Sequence, residues 1–413
     1  MTTTQTAVSF AAEAAVLEGA RGRGEPEWLL ERRAEAARAF AALPLPSQRL
    51  RPWKYTDVST LDIAAFPPSA ARVTIEGTVP EGSHAGTLAQ ALERAPEVVR
   101  ERLGSVVPAT EGKFTALNSA LWSEGAVVHA ATGAQFEAPV VITVEAGNAS
   151  SAASAVLPRV LVYAQERSDV TVVLRLRSSD APLLVAGVIE VVAEQASRVR
   201  LLIDQRWGAD TQDYSSVRSR VERDAEVQVA TLAIGGRVFK QAVESVLDHE
   251  GGRSLIRGVA LGDGDQHFDF VTLQDHVAAR TVSDVEIKSA LAGASRSIYY
   301  GVTRVGEGAA NGEAMQTNRN LLLSDRAKAD SDPVLEIMTA AVAKCGHAAT
   351  VGPVDGEALF YLQSRGLEYR MALQLLVAGF FQSVIGNFPI EGMGDELAAL
   401  VADKLATAEL KGA

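Results

Sequence analysis

The chain is 413 residues long with 47% hydrophobic and 22% charged residues, a composition that buries a large core and excludes a disordered polymer. Its 51 acidic residues outnumber 39 basic ones for a formal charge of −12 at pH 7, which excludes a general affinity for nucleic acid or anionic membranes. The single cysteine, Cys345, excludes an intrachain disulfide and a closed structural zinc site of about four Cys or His ligands.

In chain order, the opening "MTTTQTAVSFAAEAAVLEGARG" lacks a basic start followed by an apolar block. No apolar run reaches the roughly 18–20 residues that cross a bilayer, so a cytoplasmic location is expected. In "EPEWLLERRAEAARAFAALPLP", Pro26 suits a first helical turn and Leu30, Ala34, Ala37 and Ala41 share a helix face before Pro44 and Pro46 stop it. Residues 1–110 thus read as a helical and irregular N-terminal region. Within it, Trp53 and Tyr55 of "RPWKYTDVSTLD" read as aromatic anchors tying a loop to the body.

From about Phe114 the pattern becomes strand-like. In "DVTVVLRLR", Val170, Val172, Leu174 and Leu176 alternate with Thr171, Arg175 and Arg177, a strand with one face on a core. Strand positions aligned at Val141, Val170, Val199, Val227, Leu255 and Val285 give steps of 29, 29, 28, 28 and 30 residues. A step of that size fits one turn of a parallel β-helix, with an evenly spaced β-sandwich as the alternative. Glycines 251, 252, 258, 262 and 264 fit corners between strands. The β core is expected over 111–335.

After Glu336 the pattern turns helical. Three helices are expected in 336–413: "GEALFYLQSRGL", stopped near Gly366; "EYRMALQLLVAGFFQSVIGNFP", ended by Asn387 and Pro389; and "GDELAALVADKLATAEL".

The residues with chemistry to offer are few. Cys345 and His347, two positions apart in "KCGHAATVG", pair a thiol with an imidazole, which is half of a typical metal-ligand set. Asp325, Asp330, Asp332 and Glu336 read as turn caps and loop solvation, with oxygen ligation of a hard cation as the alternative. His267, Asp269, Asp275 and His276 alternate along one strand, which points half of them outward and makes them ordinary rung residues. No GxxxxGK[ST] phosphate loop is present, so the chain is expected not to hydrolyse ATP. Asp263, Asp265 and Asp269 are the carboxylates a polysaccharide-cleaving β-helix enzyme would use, and an open β-helix edge would also suit a self-associating structural protein.

Three longer stretches carry a resemblance. "NRNLLLSDRAKADSDPVLEI", "KCGHAATVGPVDGEALFYLQSRGL" and "LLVAGFF" are similar to the C-terminal signature of the SufB/SufD family of iron–sulfur cluster assembly proteins, and "FTALNSALWSEGAVVHAATGAQFEAPVVI" resembles the start of the same core. The match runs from Arg51 to Pro389, and "RPWKYTDVSTLD" with the modest length resembles the SufD side of the family. The resemblance implies a right-handed parallel β-helix flanked by helical regions. It further implies a non-catalytic scaffold that pairs with a SufB-like paralogue through the β-helix and binds a SufC-like ATPase through the C-terminal helices. An iron–sulfur cluster would be held transiently between the paralogues, with His347, and with it Cys345, as ligands from this side. It leaves open a reduced flavin in the assembled complex and a homodimer of the isolated chain. Where relatives usually read Cys-Ser-His-Gly, this chain has Cys345, Gly346, His347 and Ala348, a change expected to loosen the local backbone.

Overall fold

The computed structural model describes residues 8–146, 152–386, 388, 390 and 392–411. Residues 1–7 of the opening segment, and Asn387 and Pro389 at the expected end of a helix, lie outside the described residues.

Two long sheets face each other as a parallel β-solenoid of about seven turns. The nine-stranded sheet runs, in spatial order, through Arg72–Glu76, Val140–Ala146, Asp169–Ser178, Arg198–Arg206, Glu226–Ala233, Arg253–Gly262, Val282–Leu291, Glu313–Leu322 and Lys344–Pro353. The opposing eleven-stranded sheet ends with Thr211–Val221, Val238–Leu247, His267–His276, Arg296–Val305 and Lys328–Ile337. The first strand of each sheet, Arg72–Glu76 and His84–Thr87, pairs antiparallel with its neighbour, and the ladders beyond are parallel. The strand Asp169–Ser178 alternates as its sequence pattern requires: Val170, Val172 and Leu174 are buried at 0–1% exposure, while Arg175 between its inward neighbours is exposed.

The rungs do not keep one register throughout. Val170, Val199 and Val227 share an inward column that continues through Ser254, Ser283, Ala314 and Cys345. Val285 belongs to a different inward column, opposite Ile256, and Leu255 faces outward opposite Gln228. Val141 pairs with Val173, outside the Val170 column. The corners differ in length from turn to turn, and a one-residue slip changes the face a side chain presents. One corner recurs with a left-handed residue in each turn: Arg167, Ala196, Asp224, Gly251, Arg280 and Asn311 all have φ between 54° and 77°. Their backbone N–H groups donate to carbonyls of the next corner, as in Arg167 to Gln195 at 3.0 Å and Asp224 to Glu250 at 3.1 Å. Gly258 and Gly262, expected at corners, sit inside the strand Arg253–Gly262 instead. A Cβ at Gly258 would meet Ile287 Cδ1 at 2.6 Å, so glycine there makes room inside the coil.

Helices cover parts of both outer faces. The N-terminal helices Glu27–Ala42 and Lys113–Leu121 place Leu29, Phe40, Phe114 and Leu117 in one cluster with Leu161, Leu184 and Tyr214 of the eleven-stranded sheet. Trp53 anchors its segment as expected, with its ring 5.6 Å from Phe114 and 6.0 Å from Tyr214. At the other side, Tyr369–Ile385 and Met393–Thr407 bury Val377, Phe381, Leu397 and Val401 against Leu202, Leu232, Val259 and Ala290. Lys288 and Lys404 fasten this pair to the solenoid, Lys288 Nζ donating to Phe380 O at 2.7 Å and Lys404 Nζ to Gln266 Oε1 at 2.6 Å.

The strands run on to Pro353, past the 335 expected for the end of the β core. Helical structure begins only at Gly356. The last turn, Lys328–Ile337 and Lys344–Pro353, has no buried residue, and each strand is paired on one side only.

Candidate functional site

Cys345 and His347 lie in that last turn. The strand carrying them pairs in parallel with Glu313–Leu322, and the register sets Cys345 opposite Ala314 and His347 opposite Gln316. Ala314 and Gln316 are inward and buried at 1%. Cys345 and His347 therefore continue inward-facing columns, but no further rung covers them: Cys345 is half-buried and His347 is exposed. Two residues apart on a strand, they present both donors to one side about 7 Å from each other. Desolvation pushes the Cys345 thiol above its ordinary value, so it is a thiol with no local charge holding it as thiolate.

Gly346 between them is in ordinary extended backbone with no positive φ. A Cβ there would lie 3.4 Å from Met315 Sδ.

The other candidates are dispersed. Asp330, Asp332 and Glu336 sit on the edge strand Lys328–Ile337 and not on a solvated loop, and each is paired to an arginine: Arg296 at 2.6 Å, Arg51 at 3.4 Å and Arg304 at 3.0 Å. Asp325 is paired with Lys411 at 2.7 Å. His267 and His276 point to opposite faces of their strand, as alternation requires. His276 is fully buried inside the coil, within 2.8 Å of Thr281 Oγ1 and 2.6 Å of Ser283 Oγ, and burial drives its pKa down to about 4. His267 Nε2 lies 2.9 Å from Thr56 Oγ1, beside Asp269, whose carboxylate takes a hydrogen bond from Lys240 at 2.7 Å. Asp263 and Asp265 lie on the turn before this strand, while Asp269 is buried at 1% and paired with Lys240. Among the described residues, no group of three or more His, Cys, Asp or Glu could hold a metal ion. The chain offers a thiol and an imidazole on an open rung, about half of what an iron–sulfur cluster takes from protein.

Sequence reasoning did not single out the apolar exposure near this rung. Ile337, Met338 and Val351 are 46–56% exposed on or beside the edge strands. Helix Gly356–Ser364 buries none of its residues and leaves Phe360 at 73% and Tyr361 at 57% exposure, with Met371 and Leu375 exposed on the next helix. The helical period of "GEALFYLQS" was visible, but which face meets a neighbour is not encoded in period.

Comparison with known proteins decides the family. Residues 145–380 match the model of the SUF system FeS cluster assembly, SufBD core domain. The chain belongs to the SufBD family. It is 28% identical over 375 residues to an iron–sulfur cluster assembly SufBD family protein of Mycobacterium bovis, covering 89% of this chain and 91% of that one. It is 24% identical over 424 residues to a SufBD family protein of Staphylococcus epidermidis, covering 91% and 89%. With the iron–sulfur cluster assembly protein SufB of Bacillus subtilis it shares 26% identity over 306 residues, 73% of this chain and 64% of the relative. The matched core takes in the parallel strands from Ser154 onward and the terminal rung with Cys345 and His347, and leaves out the first strands of both sheets. Among the described residues, no helix is long and apolar enough to cross a membrane.

Proposed function

We propose that this chain is the SufD-type, non-catalytic scaffold subunit of a cytoplasmic iron–sulfur cluster assembly complex. The observation that carries the reading is the open terminal rung: a thiol and an imidazole on one side of an edge strand paired on one side only, in a SufBD family chain whose described residues gather no fuller donor set. Half a donor set suits a cluster that is cargo, because a second subunit completes it and fewer strong ligands let it leave. A SufB-like paralogue is the partner that would extend both sheets across the rung and bring the remaining ligands. His347 is the principal ligand from this side. Cys345, with its raised pKa, is the weaker candidate until iron displaces the thiol proton.

The exposed apolar residues Phe360, Tyr361, Met371 and Leu375 support docking of a SufC-like ATPase on the C-terminal helices, which supplies the hydrolysis this chain has no phosphate loop to perform. A reduced flavin is left to the assembled complex. The same open edges would let the isolated chain pair with a second copy of itself.

The test is anaerobic reconstitution of the co-purified three-protein complex with ferrous iron and sulfide, followed by cluster absorption and Mössbauer spectra. His347→Ala should keep both partners bound and lose most of the cluster, and Cys345→Ser should lose less. Wild-type rate and yield in His347→Ala would leave the histidine a packing residue. Truncation before Glu357 should abolish ATPase binding and leave the paralogue bound, and an ATPase that still binds would remove the docking assignment.

A further inference from the structure

Two of the six histidines meet at the first edge of the eleven-stranded sheet. His84 opens the strand His84–Thr87 and His129 lies on the strand Gly125–Ala130, and the antiparallel register sets them directly opposite each other. Residues opposed in this way project from one face with their Cβ atoms about 4.5–5.5 Å apart. The face is the outer one: Ala126, Val128 and Ala130 fill the coil, and the His129 ring stacks outside it on Tyr163, with centroids 5.3 Å apart at 13°.

Both imidazoles carry the same anomaly. His84 Nε2 and His129 Nε2 are shielded from solvent and have no hydrogen-bond partner among the described residues. A ring nitrogen that gives up water without a replacement is a cost to the fold unless something takes its lone pair. A third donor stands beside them. Thr87 and Gln90 cap the helix Leu88–Arg94 reciprocally, Gln90 N donating to Thr87 Oγ1 at 3.2 Å and Thr87 N to Gln90 Oε1 at 2.9 Å, which fixes the amide oxygen and leaves it one lone pair. A Cβ on Gly86 would lie 2.7 Å from Gln90 Oε1 and 2.9 Å from His84 Nε2, so the glycine keeps open a space into which both atoms turn. Burial lowers the pKa of both histidines, Arg94 and His129 adding to the effect at His84 while Gln165 and Glu194 oppose it at His129, so both rings are neutral donors at neutral pH. Glu194 itself is held by Arg102 and the Tyr163 hydroxyl.

We propose that His84 and His129, with Gln90 Oε1 as third donor, bind a borderline divalent transition-metal ion such as Zn²⁺. Two imidazoles select such an ion over Mg²⁺ or Ca²⁺, which take oxygen ligands. Gln90 is exposed, so the ion enters from the surface and a water completes its shell. Bound there, it staples the antiparallel edge strand to the first parallel ladder. The site lies at the opposite end of the solenoid from Cys345 and His347 and does not rest on the cluster-assembly reading.

Zn²⁺ is the probe, titrated by calorimetry into the full-length chain carrying Cys345→Ser and His347→Ala, which removes the donors of the last rung. Visible absorption of bound Co²⁺ gives a second readout of nitrogen ligation. One Zn²⁺ per chain should bind with a Kd on the order of 10 µM and raise the melting temperature. His84→Phe and His129→Phe keep a ring in place and remove the nitrogens, and each should weaken Zn²⁺ at least about tenfold without lowering the melting temperature of the metal-free protein. Gly86→Ala, whose Cβ fills the space between His84 and Gln90, should weaken it about tenfold, and Gln90→Leu provides the same test from an exposed side chain if Gly86→Ala melts early. His249→Ala, an exposed imidazole beside Asp248, should change nothing. The proposal is overturned by no saturable Zn²⁺ binding up to about 1 mM, by unchanged affinity in folded His84→Phe or His129→Phe, or by equal affinity for Mg²⁺.

Discussion

The early and late turns of the solenoid share a backbone and differ in what fills it. Before about residue 210 the coil interior is a column of aliphatic side chains, among them Val128, Ile142, Val162, Leu174, Leu201 and Ile203, all at 1% exposure or less. From Asp213 onward, polar side chains enter and bond one another: Ser219 with Ser245 at 2.8 Å, Ser254 with Ser245 at 2.6 Å, Gln274 with Ser283 at 2.7 Å, Tyr299 with Gln316 at 2.8 Å. Aliphatic burial is non-directional and forgiving, worth roughly 25 cal/mol per Å². A hydrogen-bonded interior yields only about 1 kcal/mol net per bond and loses more than that when one partner is removed. The early turns are thus the anchor of the fold, and the late turns, which end at the open rung, hold together only while their network is complete.

The largest effect should come from putting a charge into the aliphatic section. Val199→Asp buries a carboxylate with no partner between Val170 and Val227 and should cost about 5 kcal/mol in urea unfolding. A cost under about 1 kcal/mol would mean that the early interior admits water.

The polar section should reveal itself in pH dependence, through two groups of opposite sign. Asp213 is fully buried inside the coil, hydrogen-bonded to Trp207 Nε1 at 2.8 Å, and burial raises its pKa from 3.8 to about 7. Its unfolded form gives up the proton first, so its contribution to stability is complete below pH 3.8 and is lost as pH rises through about 7. Asp213→Asn should therefore gain on the wild type with rising pH across that window, by about 4 kcal/mol in all. His276 runs the other way. Burial lowers its pKa from 6.5 to about 4, the unfolded form takes the proton first, and stability is lost as pH falls from 6.5 towards 4. His276→Gln should recover about 3 kcal/mol relative to wild type at the acid end. Chemical denaturation of both variants at pH 4, 5.5 and 7 gives the slopes, and parallel curves for wild type and variants would show that neither group is desolvated.

A smaller loss should follow from removing one node of the late network. Gln274 donates to Ser283 Oγ and Met315 O and accepts from Thr303 Oγ1, so Gln274→Leu leaves several buried groups without partners, at about 2 kcal/mol. The matching apolar change in an early turn, Ile142→Val, should cost about 1 kcal/mol. If the two are reversed in order, the late turns draw more on packing than on hydrogen bonds.

The same contrast explains what could be read from sequence. Alternation in "DVTVVLRLR" and a repeat near 29 residues were legible because early interiors select aliphatic residues strongly, and they left a β-helix and an evenly spaced β-sandwich both open, with the family resemblance pointing to the β-helix. The register was lost where corners varied in length, and the recurring left-handed corner was hidden because Arg167, Ala196, Asp224, Arg280 and Asn311 occupy it more often than glycine. Such residues tolerate positive φ at a modest cost when the ladder on both sides holds them. "KCGHAATVGP" did not read as a strand for the same reason that it is a site: an uncovered rung has no core to select β-branched residues, and Ala348 and Ala349 stand in the columns where early turns have Val173 and Leu202, and Leu174 and Ile203. The donor pair was visible as chemistry, and its place on the edge was not.

The smallest stability effect should therefore be found at the residues with the most at stake in function. His347 continues the column of Val172, Leu201, Val229, Ile256, Val285 and Gln316, but nothing lies above it and its side chain is exposed. His347→Ala removes no buried apolar area and breaks no hydrogen bond recorded for its side chain, so the unfolding free energy should move by less than about 0.5 kcal/mol. Gln316→Leu, one rung below, takes the shorter of two hydrogen bonds from the Tyr299 hydroxyl and the side-chain donor from the Val334 carbonyl, and should cost about 2 kcal/mol. Unfolding curves of the two variants side by side separate a residue the fold needs from one it merely displays. A loss at His347→Ala as large as that at Gln316→Leu would place the imidazole in the structural network and deprive its exposure of functional meaning.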